Sequence, residues 1–222
     1  MDEKELIEAR HSVRAYLDKK IAEPKLEILE NAISAINREN DLHIQLVTDE
    51  PLAFDSFLAH YGKFIGVSNY IALIGPKSKD LEEKLGYYGE KLVLLVQSLG
   101  LNSCWVGLTY KKSKTNISIA KGEKLSLVIA IGYGRHHGFQ HKSKEISKVT
   151  KGDNFPDYFL EGVRYALLAP TAMNQQKFYF TYLGDNMVSA QTKKGPFSKV
   201  DLGIAKYHFE VGAGKENFKW AD

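Results

Sequence analysis

The chain of 222 residues is short of several things, and each scarcity excludes a class of function. Its one cysteine, Cys104, can build neither an intrachain disulfide framework nor a Cys-rich zinc module, and an unpaired thiol suits a reducing, cytoplasmic compartment. No run of about 18 apolar residues occurs, so no transmembrane helix and no membrane partner are expected. The start, MDEKELIEARH, lacks the apolar core of a signal peptide, so no leader is expected. With 30 Lys and Arg against 27 Asp and Glu, the net charge of +3 is too small to suggest nucleic acid. A hydrophobic fraction of 44% is ordinary for a globular domain and too high for general disorder.

The modest net charge hides an asymmetry. From Lys111 to Lys148 nine Lys or Arg face only Glu123 and Glu145, a local charge of +7 that leaves −4 for the remainder. His136, His137 and His141 lie inside this segment. Concentrated positive charge suits a phosphate or another anion, and it equally suits a solvated surface.

Helical and strand patterns alternate along the chain, which gives an α/β or α+β class. Residues 3–9 read as a short helix, and Pro24 opens a second one with Leu26, Leu29, Ile33 and Ile36 at helical spacing. Leu81, Leu85, Tyr88, Leu92 and Val96 form the longest apolar stripe, closed by Gly100. Residues 157–168 and 201–211 predict two more helices. Strands are expected at 43–48, 70–74, 102–107, 125–131 and 177–183, the last alternating as KFYFTYL. The glycines and histidines after Gly132 imply a long irregular connection, and the polar KVTKGDN places a domain boundary near Thr150–Asn154. GEKLVLLVQSLGLNSCWVG (89–107) and DLGIAKYHFEVGAG (201–214) form a faint internal echo.

Candidate sites are few. Arg10, Ser12 and Arg14 alternate in an extended segment, so two guanidinium groups and a hydroxyl project to one side, a donor set for anionic oxygens. In LAPTAMNQQKF (168–178) the amides of Asn174, Gln175 and Gln176 can read the edge of a planar heterocycle, or simply make a polar turn. Gly132, Gly134 and Gly138 do not match GxGxxG and no apolar helix follows them, which excludes a dinucleotide-binding loop. The three histidines stand among lysines that repel a cation, so no metal site is assigned. Cys104 lies in an apolar stretch that raises a thiol pKa and leaves it inert. No protein-borne nucleophile or general base is evident, so a cofactor would carry any chemistry.

Several of these segments resemble one family in a compatible order. RHSVRAYLDKKI is similar to the RRSxRxF element of the FMN-dependent nitroreductases, and GEKLVLLVQSLGLNSCWVG to their central helix ending SLGLGTCWIG. LVIAIGYG followed by HKSK resembles their last core strand and the basic residues beyond. LAPTAMNQQKFYF resembles APSxxNxQPW, and DLGIAKYHFEVGAG resembles DxGIAxxN. The APSxxN element lies early in most members and late here. The resemblance therefore implies a single-chain pseudo-dimer, with residues 1–150 as one near-complete subunit and 151–222 as a truncated second half.

The implied fold is α+β, a three-layer α/β/α sandwich with a mixed, mainly antiparallel sheet. The implied cofactor is FMN, with NADH or NADPH as electron donor. By resemblance, Arg10, Ser12 and Arg14 hold the phosphate and ribityl oxygens, His11 between them contributes backbone, and Lys142 and Lys144 complete the phosphate pocket. Trp105, Val106 and Gly107 present backbone N–H groups to flavin N5 and O4. Pro170, Thr171, Ala172 and Asn174 cover the ring, and Lys63 of HYGKF reaches the pyrimidine edge. No catalytic side chain is implied, since the flavin carries the chemistry. The implied reaction is ping-pong hydride transfer to a small electron-poor acceptor, a nitroaromatic or quinone, by a monomer or loose homodimer. Gln176-Lys177 replaces Gln-Pro-Trp, and the second half has no RxSxR of its own. One flavin per chain is therefore expected, and a flavin-binding protein without reductase activity is the alternative reading. A plain anion- or nucleotide-binding domain is the more distant one.

Overall fold

In the computed structural model, which describes residues 1–55 and 57–221, helices and strands alternate as the apolar periodicity requires. The α-helices are α1 (Glu3–Ala9), α2 (Glu23–Asn40), α3 (Phe57–Tyr61), α4 (Leu81–Ser98), α5 (Asp157–Ala166) and α6 (Ser198–Ala213). The strands are β1 (Gln45–Val47), β2 (Asn69–Pro76), β3 (Asn102–Val106), β4 (Glu123–Gly132), β5 (Thr150–Lys151), β6 (Phe178–Tyr182), β7 (Met187–Thr192) and β8 (Lys219–Trp220). None of the described helices is long and apolar enough to cross a membrane.

The chain divides into two compact units that do not follow a single cut. One comprises Arg10–Leu81 and Leu92–Phe139. Its sheet, ordered β1-β2-β4-β3, is antiparallel throughout, with Ile71 opposite Ile129 and Trp105 opposite the same residue from the other side. The central strands β2 and β4 are buried on both faces, which is why they read as continuous apolar runs. Val13, Tyr16, Phe54, Phe64, Tyr70 and Val128 share its core. The Tyr16 hydroxyl donates to the Ala130 carbonyl at 3.2 Å, and burial pushes that phenol well above its ordinary pKa.

The second unit comprises Met1–Ala9, Glu82–Lys91 and the chain from Gln140 onward. Its sheet, ordered β5-β6-β7-β8, is mixed: β5 and β6 run parallel, β6 and β7 antiparallel, β7 and β8 parallel. The core is aromatic. Phe209 of α6 stacks on Phe180 of β6 at 4.6 Å and meets Phe159 of α5 edge-on at 5.7 Å.

Several features differ from the sequence reading, among them α3 and the two-residue strands β5 and β8, which no local pattern predicts. The mixed, mainly antiparallel character is spread over two four-stranded sheets. The unit holding the second sheet starts ten residues before the expected boundary region and also takes in α1 and part of α4. Strand β7 was not expected. Its sequence MVSAQT is weakly patterned, but Gly184, Asp185 and Asn186 all have positive φ (86, 48 and 59°) and turn β6 back upon itself.

Candidate functional site

The residues singled out by sequence fall into two groups, one in each unit. In the first, the chain leaves α1 at Ala9 and runs extended alongside the edge strand β3. Ser12 bridges Ser103 in parallel, and the Val13 N–H donates to the Ser103 carbonyl at 3.0 Å. Val13 is fully buried, whereas Arg14 is exposed and Ser12 and His11 are half-buried. Arg10 is only 3% exposed.

Cys104 shows where the alternate side chains converge. Burial pushes its thiol up, while the Arg14 charge, a hydrogen bond with Ser12 and the Arg10 charge pull it down. The charges of Arg14 and Arg10 and the Ser12 hydrogen bond thus all bear on this thiol of β3. The net direction is upward, as expected for an inert thiol. Trp105 and Val106 follow on β3, Val106 being buried, and half-buried Gly107 lies just beyond the strand. Lys63 is exposed at φ 61° in the turn after α3. Two residues on, the Ile65 N–H donates to the Arg14 carbonyl at 2.9 Å and the Ile65 carbonyl accepts from Tyr16 N–H at 2.9 Å. This unit therefore assembles Arg10, His11, Ser12, Arg14, Lys63, Trp105, Val106 and Gly107 on adjoining segments.

The second group joins residues 141–144 to the loop 167–176. The Leu167 carbonyl, just past the end of α5, accepts from His141 Nε2 at 2.9 Å and from the Ser143 hydroxyl at 3.0 Å. Because a carbonyl only accepts, Nε2 of His141 carries a proton. Lys144 donates its ammonium to the carbonyls of Gln175 and Gln176, each at 2.7 Å. The group assigned to a phosphate by resemblance thus clamps the loop and keeps one N–H for other contacts. Lys142 has an exposed side chain, and its carbonyl accepts from Asn174 Nδ2 and Gln176 Nε2.

Gln176 is 2% exposed and engaged at both ends: Oε1 accepts from Lys144 N–H, and Nε2 also reaches Asn174 Oδ1. Its amide organises the loop and is not presented to a heterocycle. Pro170 is buried, Thr171 and Ala172 are half-buried, and Asn174 is exposed.

Sequence reasoning missed Asp201, the fourth residue of α6. Its carboxylate accepts from Ala172 N–H at 2.9 Å and from Gln175 Nε2 at 2.6 Å. It also missed the crossing of α4 and α6. A Cβ on Gly86 would lie 2.1 Å from the Val200 carbonyl oxygen, and one on Gly203 would lie 2.0 Å from that of Glu83. Glu83 and Val200 are the third residues of their helices, and Gly86 and Gly203 the sixth. The contact is reciprocal, as across a two-fold axis. It also corrects the register of the internal echo, since the start of α6 matches the start of α4 and not Gly89. Gly203→Ala is expected to cost about 1–3 kcal/mol by overpacking, measured as a lower denaturation midpoint.

With this geometry in view, the chain can be placed among known proteins. A family model described as "Putative TM nitroreductase" matches residues 2–213. A Thermotoga maritima crystal structure described as a "putative nitroreductase" is 26% identical, with TM-score 0.69 over 97% of this chain and 85% of its own. A Desulfovibrio desulfuricans structure described as a "putative nitroreductase in complex with FMN" is 17% identical, with TM-score 0.55 over 70% of this chain and 99% of its own. A Bacteroides thetaiotaomicron structure described as a "Putative NADH dehydrogenase/NAD(P)H nitroreductase" is 18% identical, with TM-score 0.52 over 67% of this chain and 96% of its own. The last two likenesses concern the fold. No curated protein sequence shows a significant match. Because the family model spans nearly the whole chain, this protein belongs to the nitroreductase family of oxidoreductases.

Proposed function

We propose that this protein is an FMN-dependent oxidoreductase that takes electrons from NADH or NADPH and reduces an electron-poor small molecule such as a nitroaromatic or a quinone. The carrying observation is the extended run of Arg10–Arg14 alongside β3, where Ser12 bridges Ser103 and the Val13 N–H donates to the Ser103 carbonyl, so that residues 10, 12 and 14 alternate with buried Val13. Two guanidinium groups and a hydroxyl on one side form a donor set that fits a phosphate ester. When bound, FMN supplies the redox chemistry at N5, in ping-pong order, and the chain supplies binding, orientation and electrostatics. Arg10 and Arg14 would hold the phosphate, with His11 and Ser12 at the ribityl chain. Trp105, Val106 and Gly107 would present backbone N–H groups where charge develops on reduction. Lys63 would approach the pyrimidine edge. Thr171, Ala172 and Asn174 would cover the ring, with Pro170 at the base of their loop, and Lys142 would add positive charge at the phosphate. Lys144 would add the N–H that its clamp does not use.

We further read the chain as a single-chain pseudo-dimer, residues 1–150 forming one subunit and 151–222 a partial second copy, with one flavin per monomer in the cytoplasm. The reciprocal α4–α6 crossing supports this reading. So does the length relation: 70% of this chain matches 99% of the Desulfovibrio protein.

The purified protein is expected to be yellow, to release FMN on denaturation, and to bleach anaerobically with NADH or NADPH. A colourless protein that takes up no added FMN would overturn the proposal. Gln176-Lys177, standing where the family carries Gln-Pro-Trp, favours one second reading, a flavin-binding protein that does not turn over. A yellow protein that fails to bleach would select it.

A further inference from the structure

We propose that Asp201 is the positioning residue that holds the loop 171–176 in place, and with it the residues assigned above to cover the flavin. The role in covering flavin rests on the proposed function; the positioning itself does not.

Left alone, the loop has little reason to keep its shape. Met173, Asn174 and Gln176 all have left-handed backbones, with φ of 52, 54 and 42°. Each such non-glycine residue is strained and persists only where its surroundings over-determine it. Met173 is 85% exposed, so no apolar anchor holds the tip. The clamp by Lys144 and Gln176 ties residues 174–176 to the strand of chain at 142–144. Polar contacts from α6 tie the loop to a helix of the core. Asp201 supplies them: one carboxylate oxygen takes the Ala172 N–H and the other the Gln175 amide, whose Nε2 also reaches the Pro196 carbonyl at 2.8 Å. The position in the first turn of α6 suits a carboxylate, because the helix N-terminus favours negative charge.

The anchor is also under tension. Asp201 is 3% exposed, and burial lifts its carboxyl to about 6, against the opposing pull of Gln175, the Ala172 N–H and the charge of Lys177. Those are the groups that face it from the loop and from Lys177, just before β6. The sign follows from linkage. A closed loop binds the Asp201 proton more tightly than an open one, whose exposed carboxyl titrates near 3.8. The closed loop is therefore most secure below about pH 4 and loses stability as pH rises through about 6. At neutral pH the loop is held by two good hydrogen bonds to a carboxylate that burial disfavours, which leaves it ready to open.

Hydrogen exchange of the Ala172 amide, whose N–H points at Asp201, reads this directly in the flavin-free protein. Asp201→Asn cannot ionise and keeps an oxygen for Ala172, while its Nδ2 bonds the Gln175 amide once that amide turns its oxygen inward. The wild-type exchange rate divided by that of Asp201→Asn at the same pH is expected to rise up to about 10²-fold between pH 4 and pH 7.5. Asp201→Ala is expected to exchange fast throughout, and Asp201→Asn to restore protection. A constant ratio across pH, or wild-type protection in Asp201→Ala, would overturn the proposal. If Asp201→Ala fails to fold, the pH arm on wild type and Asp201→Asn decides alone. Adding FMN should slow Ala172 exchange further. If protection follows Asp201 yet ignores FMN, the anchor stands and the flavin-covering role falls.

Discussion

Replacing Arg10 and Arg14 together by alanine is expected to weaken FMN binding by about 3–6 kcal/mol, roughly 10²–10⁴-fold in Kd. Each is assigned a charge-assisted contact to the phosphate, worth about 1.5–3 kcal/mol. Arg10 is the more telling of the two, because a guanidinium 3% exposed loses little further hydration when a phosphate binds. Titration of the apoprotein with FMN by flavin fluorescence measures the loss. Arg10→Lys keeps the charge and gives up the planar fork, so it should fall between wild type and alanine. A second readout needs no flavin. Both guanidinium charges pull the Cys104 thiol down, so the double variant should push it further up, seen as thiolate absorbance appearing at higher pH. Unchanged FMN affinity with a shifted thiol would place the phosphate elsewhere.

The second large effect concerns stability. Glu90 of α4 and His208 of α6 are both fully buried, with Oε1 and Nε2 2.9 Å apart. The other ring nitrogen, Nδ1, faces the Tyr165 carbonyl at 3.1 Å and must donate to it. Nε2 therefore either donates to a carboxylate or accepts from a carboxylic acid, and in both cases one proton lies between the pair. Removing the Glu90 carboxylate leaves the fully buried Nε2 of His208 without it, so Glu90→Ala should cost about 3–5 kcal/mol. For a chain of this length that lowers Tm by about 6–20 °C. Replacing both by apolar groups of similar volume should recover most of the loss, because the pair contributes far less net than its breaking costs. Additive single and double effects in a double-mutant cycle would show that the two side chains do not act as a unit.

Glu90 also shows how sequence reading stops short. Opposite the α4 stripe of Leu81, Leu85 and Leu92 it reads as a solvated charge, since nothing local reveals that α6 brings His208 against it. Asp201 is the same case: its motif was legible, but its partners Ala172 and Gln175 lie far away in the chain. The start of β7 is marked by the Leu-Gly-Asp-Asn turn, but the strand that follows is too weakly patterned to stand out by itself.

Where burial repeats with the period of a helix or strand, residues announce their own structure. That is why α2, α4, β2 and β4 could be read from composition and spacing, and why alternation alone put Arg10, Ser12 and Arg14 on one side. Residues 1–9 and 82–91 are a different matter. They belong with the chain beyond Gln140, and no local pattern says so, because long-range pairing is decided by which apolar faces fit once the elements exist. The same holds for the glycine crossing of α4 and α6 and for the left-handed loop at 173–176. Their cost is local, but the contacts that offset it come from distant residues, and only the tertiary structure brings those into reach.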